Sequence, residues 1–236
     1  SSDLNNIDYI TIASTGNATD FGDLTQARWT LGSCSSSTRG LWAGGYHSNS
    51  TEVNTIDYVT IASTGNAQDF GDLTIVCRML AGCASPTRGI FGGGDSNVGA
   101  EDTINYVTIA STGNATDFGD LSGSFNSTGS CSNSTRGIIA GGDKSGVSDQ
   151  MNEIQYITIA STGNTSDFGD LTHNVRRLGA GASATRALFA GEYQSNANGI
   201  NYITIGSTGN AQDFGDLTNN ETDGPACAST AHGGIS

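Results

Sequence analysis

The stretch Ser14-Thr15-Gly16-Asn17-Ala18-Thr19-Asp20-Phe21-Gly22-Asp23-Leu24 decides the fold, because it returns four more times almost unchanged, starting at Ser63, Ser111, Ser161 and Ser207. Its glycines Gly16, Gly65, Gly113, Gly163 and Gly209 lie 49, 48, 50 and 46 residues apart, the mark of a repeat architecture. Outward on the N-terminal side, residues 6–12 form an apolar, β-branched run of strand length bounded by turn formers. Thr15-Gly16-Asn17 supplies a tight reversal, and residues 21–25 continue as a second strand, so the two make a hairpin. Downstream, residues 31–36 read as a strand of small residues, Ser37-Thr38-Arg39-Gly40 as a turn, and residues 41–45 as a further strand. One unit is thus four antiparallel strands, and 1–236 reads as a single domain of five repeats beginning near residues 7, 56, 104, 154 and 200.

Hydrophobic residues make up only 35% of the chain and glycine reaches 34 residues, yet β-formers alternate within every copy, so a folded all-β domain is expected rather than disorder. A net charge of -14, with Lys144 the single lysine, argues against partners that present phosphates, either nucleic acid or an anionic membrane surface. Neutral glycans, cations and basic protein surfaces fit that charge. No run of 18 apolar residues and no basic-then-apolar leader occurs, so neither a membrane span nor a signal peptide is expected in this stretch. A monomeric domain without cofactor is the simplest expectation.

A four-stranded antiparallel unit of roughly 40 to 50 residues, repeated without helix signals, points to the blade of a β-propeller. The chain starts with the outer two strands of a unit and finishes with the inner two: Cys227 aligns with Cys34 and Cys83, and His232 with Arg39. The expectation is an all-β, five-bladed β-propeller whose last blade pairs N-terminal outer strands with C-terminal inner strands, removing the open edge. Deleting residues 226–236 is then expected to abolish cooperative unfolding. The sequence stops at Ser236 before the Gly-Gly of its final strand, which suggests a domain cut from something longer.

The Gly44-Gly45 pair, the tyrosines Tyr9, Tyr58, Tyr106, Tyr156 and Tyr202, and an aromatic on the following strand resemble kelch-type propeller repeats. Phe21, Phe70, Phe118, Phe168 and Phe214 stand where kelch repeats usually carry tryptophan, and the Tyr-to-Phe spacing is longer than usual there. The wording Ile-Asp-Tyr-Val-Thr-Ile-Ala-Ser-Thr-Gly-Asn-Ala also resembles repeats of structural and tail-associated proteins of marine bacteriophages. That resemblance implies a binding or structural propeller on a virion or outside the cell, with a cell-surface glycan or another virion protein as partner.

All length variation between copies falls at 46–55, 95–103, 143–153 and 193–199. Residues 26–30, 75–79, 123–127, 173–177 and 219–223 keep their length but lose their identity. In an up-and-down blade these two connections emerge on one face, and loops on a rigid scaffold are the usual carriers of recognition. Thirteen of the 17 aromatics occupy repeat positions; Trp29, Tyr46, Phe125 and Tyr193 are left over, and all fall in the divergent segments together with His47 and His173. These six are the candidate ligand-binding residues, with burial between blades as the competing reading.

The repeated acids are expected to be structural. Asp20, Asp69, Asp117, Asp167 and Asp213, each followed three residues later by a second aspartate, are read as turn caps that also pair with Arg39, Arg88, Arg136 and Arg186 on the same face. Their spacing lacks the dense alternation of oxygen ligands that calcium loops require, so no metal is assigned. The five cysteines are expected as free thiols, four of them at one close-packed repeat position that is Gly181 in the fourth copy. No unique paired acids and no Ser-His-Asp set appear, so no catalytic residue is assigned. A glycoside-processing propeller and a passive structural spacer are the alternatives.

Overall fold

The structure, a computed structural model, describes residues 4–47, 49, 51–147, 150–191, 198–219 and 225–227. Among these the chain is all β, with 22 strands and no helix. Four antiparallel sheets repeat one plan, four main strands paired in chain order, with short strands intervening between the second and third in the first three sheets. The first contains Gly32–Ser35, Arg39–Ala43, Thr55–Thr60 and Gln68–Asp72. The second contains Ala81–Ala84, Arg88–Gly92, Gly99–Thr108 and Thr116–Asn126, and its outer strands also pair with the short strands Asp95–Ser96 and Asp143–Lys144. The third is Gly129–Ser132, Arg136–Ala140, Met151–Thr158 and Ser166–Val175; the fourth is Gly179–Ala182, Arg186–Ala190, Gly199–Thr204 and Gln212–Asp216. The N-terminal hairpin, Asn6–Tyr9 with Thr19–Asp23, forms a two-stranded sheet of its own.

The first strands of the four sheets surround a common cavity of about 350 Å³. Pro225 and Cys227 lie against Gly179 and Gly181 of the fourth sheet, and Cys227 lines the same cavity. Of residues 226–236, the expected inner strands of a fifth blade, all but Ala226 and Cys227 lie outside the described residues, so the described molecule is four sheets on one plan, the N-terminal hairpin and the short ribbon Tyr46–His47 with Thr51–Glu52.

The core fills the spaces between sheets rather than one central volume. Leu41, Ile56, Phe70 and Leu73 of the first sheet pack with Leu80, Ala84 and Phe91 of the second. Ile90, Ile104 and Phe118 pack in turn with Ile139 and Ile157 of the third. Such side chains are worth roughly 1.5–3 kcal/mol each when fully buried. The repeated tyrosines stand edge-on to the repeated phenylalanines, as with Tyr58 and Phe70 at 5.7 Å and 83°. The five thiols are free, and four of them line the cavity. Cys83 and Cys131 are buried, and the Cys34 and Cys83 sulfurs pack so closely on Gly89 and Gly137 of the next sheet that a Cβ there would lie 2.9 Å away. Burial suppresses the thiolate, raising the Cys83 pKa to about 12 and pushing those of Cys34 and Cys131 well above the ordinary thiol value.

Adjacent units are joined by a recurring backbone clasp. Gly65 N–H donates to the Phe21 carbonyl at 2.7 Å and Ala67 N–H to that of Asp23 at 2.7 Å. Asn66 Oδ1 accepts from the Asp23 N–H at 3.1 Å. The same three bonds recur between Phe70-Asp72 and Gly113-Ala115, Phe118-Asp120 and Gly163-Thr165, and Phe168-Asp170 and Gly209-Ala211. The asparagine of the signature stretch therefore caps the neighbouring unit, and the glycine of Asp-Phe-Gly-Asp admits the neighbour's backbone. A Cβ at Gly71 (φ +141) would lie 2.5 Å from the Gly113 carbonyl oxygen.

Candidate functional site

The two divergent segments of each of the first three repeats are tied together by backbone pairing. Trp29 and Tyr46 exchange N–H···O=C bonds at 3.2 and 2.9 Å, and Arg78 and Asp95 do so at 2.9 and 2.7 Å. Asn126 pairs with Asp143 in the same register. The link between repeats and the variable loop are thus one local surface, as their shared face requires.

Within each link the positions divide sharply by depth. Arg28, Cys77, Phe125 and Val175 occupy one site and are all buried. The closing residues Thr30, Met79, Ser127 and Arg177 all take φ between 54° and 57°. That left-handed backbone costs an ordinary residue energy. It is over-determined by a chain of bonds in which Met79 N–H donates to Thr30, Ser127 N–H to Met79 and Arg177 N–H to Ser127, at 2.8, 3.2 and 2.8 Å.

The sequence-predicted residues separate accordingly. Trp29 is 46% exposed and meets Tyr46 edge-on, with centroids 5.4 Å apart at 82°. His47 lies beside them, half-buried, with Nε2 2.7 Å from Gln26 Oε1, and the Gln26 amide donates to Thr55 Oγ1 at 2.7 Å. Phe125 is a correction: it is fully buried in the core between the second and third sheets, with the Lys144 ammonium 4.8 Å above its ring. The buried position of the link dictates this, since every repeat must fill it. His173 sits on the fourth link, its Nδ1 2.8 Å from Thr172 Oγ1, apart from the Trp29 cluster in sequence and in its bonding. Tyr193 lies outside the described residues.

Three members of the cluster were missed by sequence reasoning. The Arg78 guanidinium stacks 4.6 Å from the Tyr46 ring centre, donates to Asp95 at 2.8 Å and stands 3.7 Å from Glu52. Glu52 is paired in register with Tyr46 across a two-residue ribbon, and its Oε2 is buried without a hydrogen-bond partner. The available signal was positional: Arg78 is the residue that replaces Trp29 in the next repeat, so a link residue of one repeat reaches the variable loop of the repeat before it.

The opposite face is built differently from the expected ion pairs. Arg39, Arg88, Arg136 and Arg186 lie over Tyr58, Tyr106, Tyr156 and Tyr202 at 4.5, 4.7, 4.7 and 4.9 Å. The first three also donate to the carbonyls of Ile109, Ile159 and Ile205 in the neighbouring sheet, at 2.8, 3.0 and 2.7 Å. Among the described residues none of them forms an ion pair with the repeated aspartates, which is a correction. The aspartates are otherwise engaged: Asp69, Asp117 and Asp213 accept the N–H of the glycine two residues on, each at 3.0 Å, closing their own turns. Asp20 and Asp167 hold the same repeat position.

Among the described residues, one fully buried ion pair occurs, in the first link. Arg28 Nη2 is 3.1 Å from Asp57, and neither side chain reaches solvent. Asp57 also accepts from the Thr25 amide and hydroxyl, a role that Asn105 performs for Thr74 and Asn201 for the Thr172 amide. Burial lowers the Arg28 pKa from its ordinary value, opposed by the adjacent carboxylate, while Nε and Nη1 have no partner. No group of three or more His, Cys, Asp or Glu side chains among the described residues is arranged to hold a metal ion, and no helix is long and apolar enough to cross a membrane.

With this geometry in place, comparison with known proteins adds no relative: no family model and no curated protein matches the chain.

Proposed function

We propose that the chain is a non-catalytic binding module, a five-bladed β-propeller in which residues 226–236 complete a fifth blade beside the N-terminal hairpin. It takes a surface glycan on its divergent face. The observation that carries this reading is the exposed Trp29 indole, edge-on to Tyr46, whose ring also carries the Arg78 guanidinium. An aromatic plane fixed by two neighbours presents apolar area at little entropic cost, which suits the C–H face of a pyranose. Asp95, His47 and Gln26 stand around it as hydrogen-bonding groups for hydroxyls. The resemblance of the repeats to those of phage structural proteins supports a virion as the setting, with another virion protein as the alternative partner.

A glycan array probed with the whole chain, followed by titration of the best ligand, tests the assignment. Trp29→Ala is expected to weaken binding by about 1–3 kcal/mol, as aromatic anchors do, with an unchanged unfolding midpoint. Binding that survives Trp29→Ala and Tyr46→Ala, or turnover of a glycoside panel, overturns it.

A further inference from the structure

The four clasps between units define a stencil, and the two ends of the chain carry its unmatched halves. On the fourth sheet, Phe214-Gly215-Asp216 repeats the accepting half, yet Phe214 is 54% exposed whereas Phe70, Phe118 and Phe168 in joined clasps are 2 to 3% exposed. No atom comes within 4 Å of a Cβ built at Gly215, the glycine that in joined clasps is covered by the neighbour's backbone. At the N-terminus, Gly16-Asn17-Ala18 repeats the donating half in sequence. A second contact is unmatched at the same place. Arg136 reaches the Ile205 carbonyl one sheet on, and the next such pair is Arg186 with Ile12, which is 92% exposed where Ile205 is fully buried.

We infer that Phe214-Gly215-Asp216 is a latch that takes the Gly16-Asn17-Ala18 turn of the same chain. Gly16 N–H donates to the Phe214 carbonyl, Ala18 N–H to the Asp216 carbonyl, Asp216 N–H to Asn17 Oδ1, and the Arg186 guanidinium to the Ile12 carbonyl. This rests on the propeller reading above and adds a seam between blades to the strand pairing within the fifth blade. The same chain is the occupant because both halves bracket one gap. The N-terminal hairpin is already clasped to the first sheet through Phe21 and Asp23, and Pro225 and Cys227 have returned to the cavity wall beside the fourth sheet. A tethered turn acts at an effective concentration in the millimolar range, far above a second copy in dilute solution.

Residue-resolved amide hydrogen exchange on the full chain tests the latch, with Gly65 and Ala67 of a joined clasp as internal reference. Gly16 and Ala18 amides are expected to be as protected as that reference, independently of protein concentration. In Gly215→Ala their protection is expected to fall by about tenfold or more, the factor that loss of a hydrogen bond of ordinary net strength implies, while Gly65 keeps its own. The substitution is discriminating because the φ of +138 at Gly215 is the same whether or not the latch is made, whereas the added methyl blocks only the joined form. Asn17→Ala, which introduces no clash, is expected to loosen the same two amides. Free exchange of Gly16 and Ala18 in the unmodified chain overturns the inference. Protection that grows with concentration also overturns it, by assigning the turn to a second copy. The amides of residues 7–9 report the strand pairing separately, so failure of the fifth blade and failure of the latch give different patterns.

Discussion

The two faces of the molecule solve the same problem, joining one unit to the next, in opposite ways. On the invariant face the joints use repeated residues: the Asn66-type cap, the Gly71-type close approach and the Arg39-type bond to a neighbour's carbonyl. On the divergent face the joints are backbone bonds, Gly45 N–H to the Cys77 carbonyl, Gly94 to Phe125 and Gly142 to Val175, that any side chain can make. Where a joint needs a particular side chain, its identity is constrained. Where it needs only N–H and C=O groups, identity is left to the pocket beneath or to the solvent above. The divergent face therefore carries both filler residues such as Phe125 and exposed rings such as Trp29.

The largest expected effect separates those two kinds of divergent residue. Phe125→Ala should lose about 3–5 kcal/mol in urea unfolding through the cavity it leaves, whereas Trp29→Ala should stay within about 0.5 kcal/mol. Equal losses would erase the distinction. The buried ion pair comes next. Asp57→Asn leaves Arg28 buried without its counter-charge and should lose about 3 kcal/mol. Adding Arg28→Val reproduces the Val175 and Asn201 combination of the fourth repeat and should recover most of that loss. If the double variant is no better than the single, the two positions are not interchangeable between repeats.

On the invariant face, Gly71→Ala combines backbone strain with a methyl forced against the Gly113 carbonyl, and should lose about 2–3 kcal/mol. Gly113→Ala, at φ +154 but in open space, should lose about 1 kcal/mol, so the difference measures the close approach alone. The smallest effect is a pH dependence that the joints do not share. The Cys77 and Cys83 thiols are held protonated by burial up to about 12, against an ordinary thiol value of 9.0. The unfolded chain ionises first, so the stability they contribute is complete below pH 9 and declines progressively toward pH 12. Unfolding midpoints at pH 7 and pH 10 should show the decline, and Cys83→Ala should reduce it.

Strands, hairpins and the five-fold repetition were legible in the sequence because they depend on local alternation and turn chemistry, which each copy states afresh. The division of the aromatics was less legible. Phe125 and Trp29 are both leftover rings in corresponding links of different repeats, and only their depth, one residue apart in register, separates core from surface. The Arg–Asp pairing expected of the invariant face failed for a related reason. Carboxylates in a glycine-rich turn close on their own backbone first, and the arginines find a tyrosine ring and a neighbour's carbonyl instead.

By itself the sequence determined an all-β chain built on five copies of one signature stretch, a net charge of -14, and a divergent segment at a fixed place in every copy. Tertiary structure decided what those segments are: the asparagine of the signature stretch caps a neighbour 43 positions away, Arg78 braces a ring from the preceding repeat, and Arg28 is buried against Asp57. The reason is that contacts within a unit are written by spacing along one strand or turn. Contacts between units depend on how two copies stack, and the same residue types at the same spacing are compatible with a cap, a core filler or an exposed platform until that stacking fixes which side of each link meets solvent.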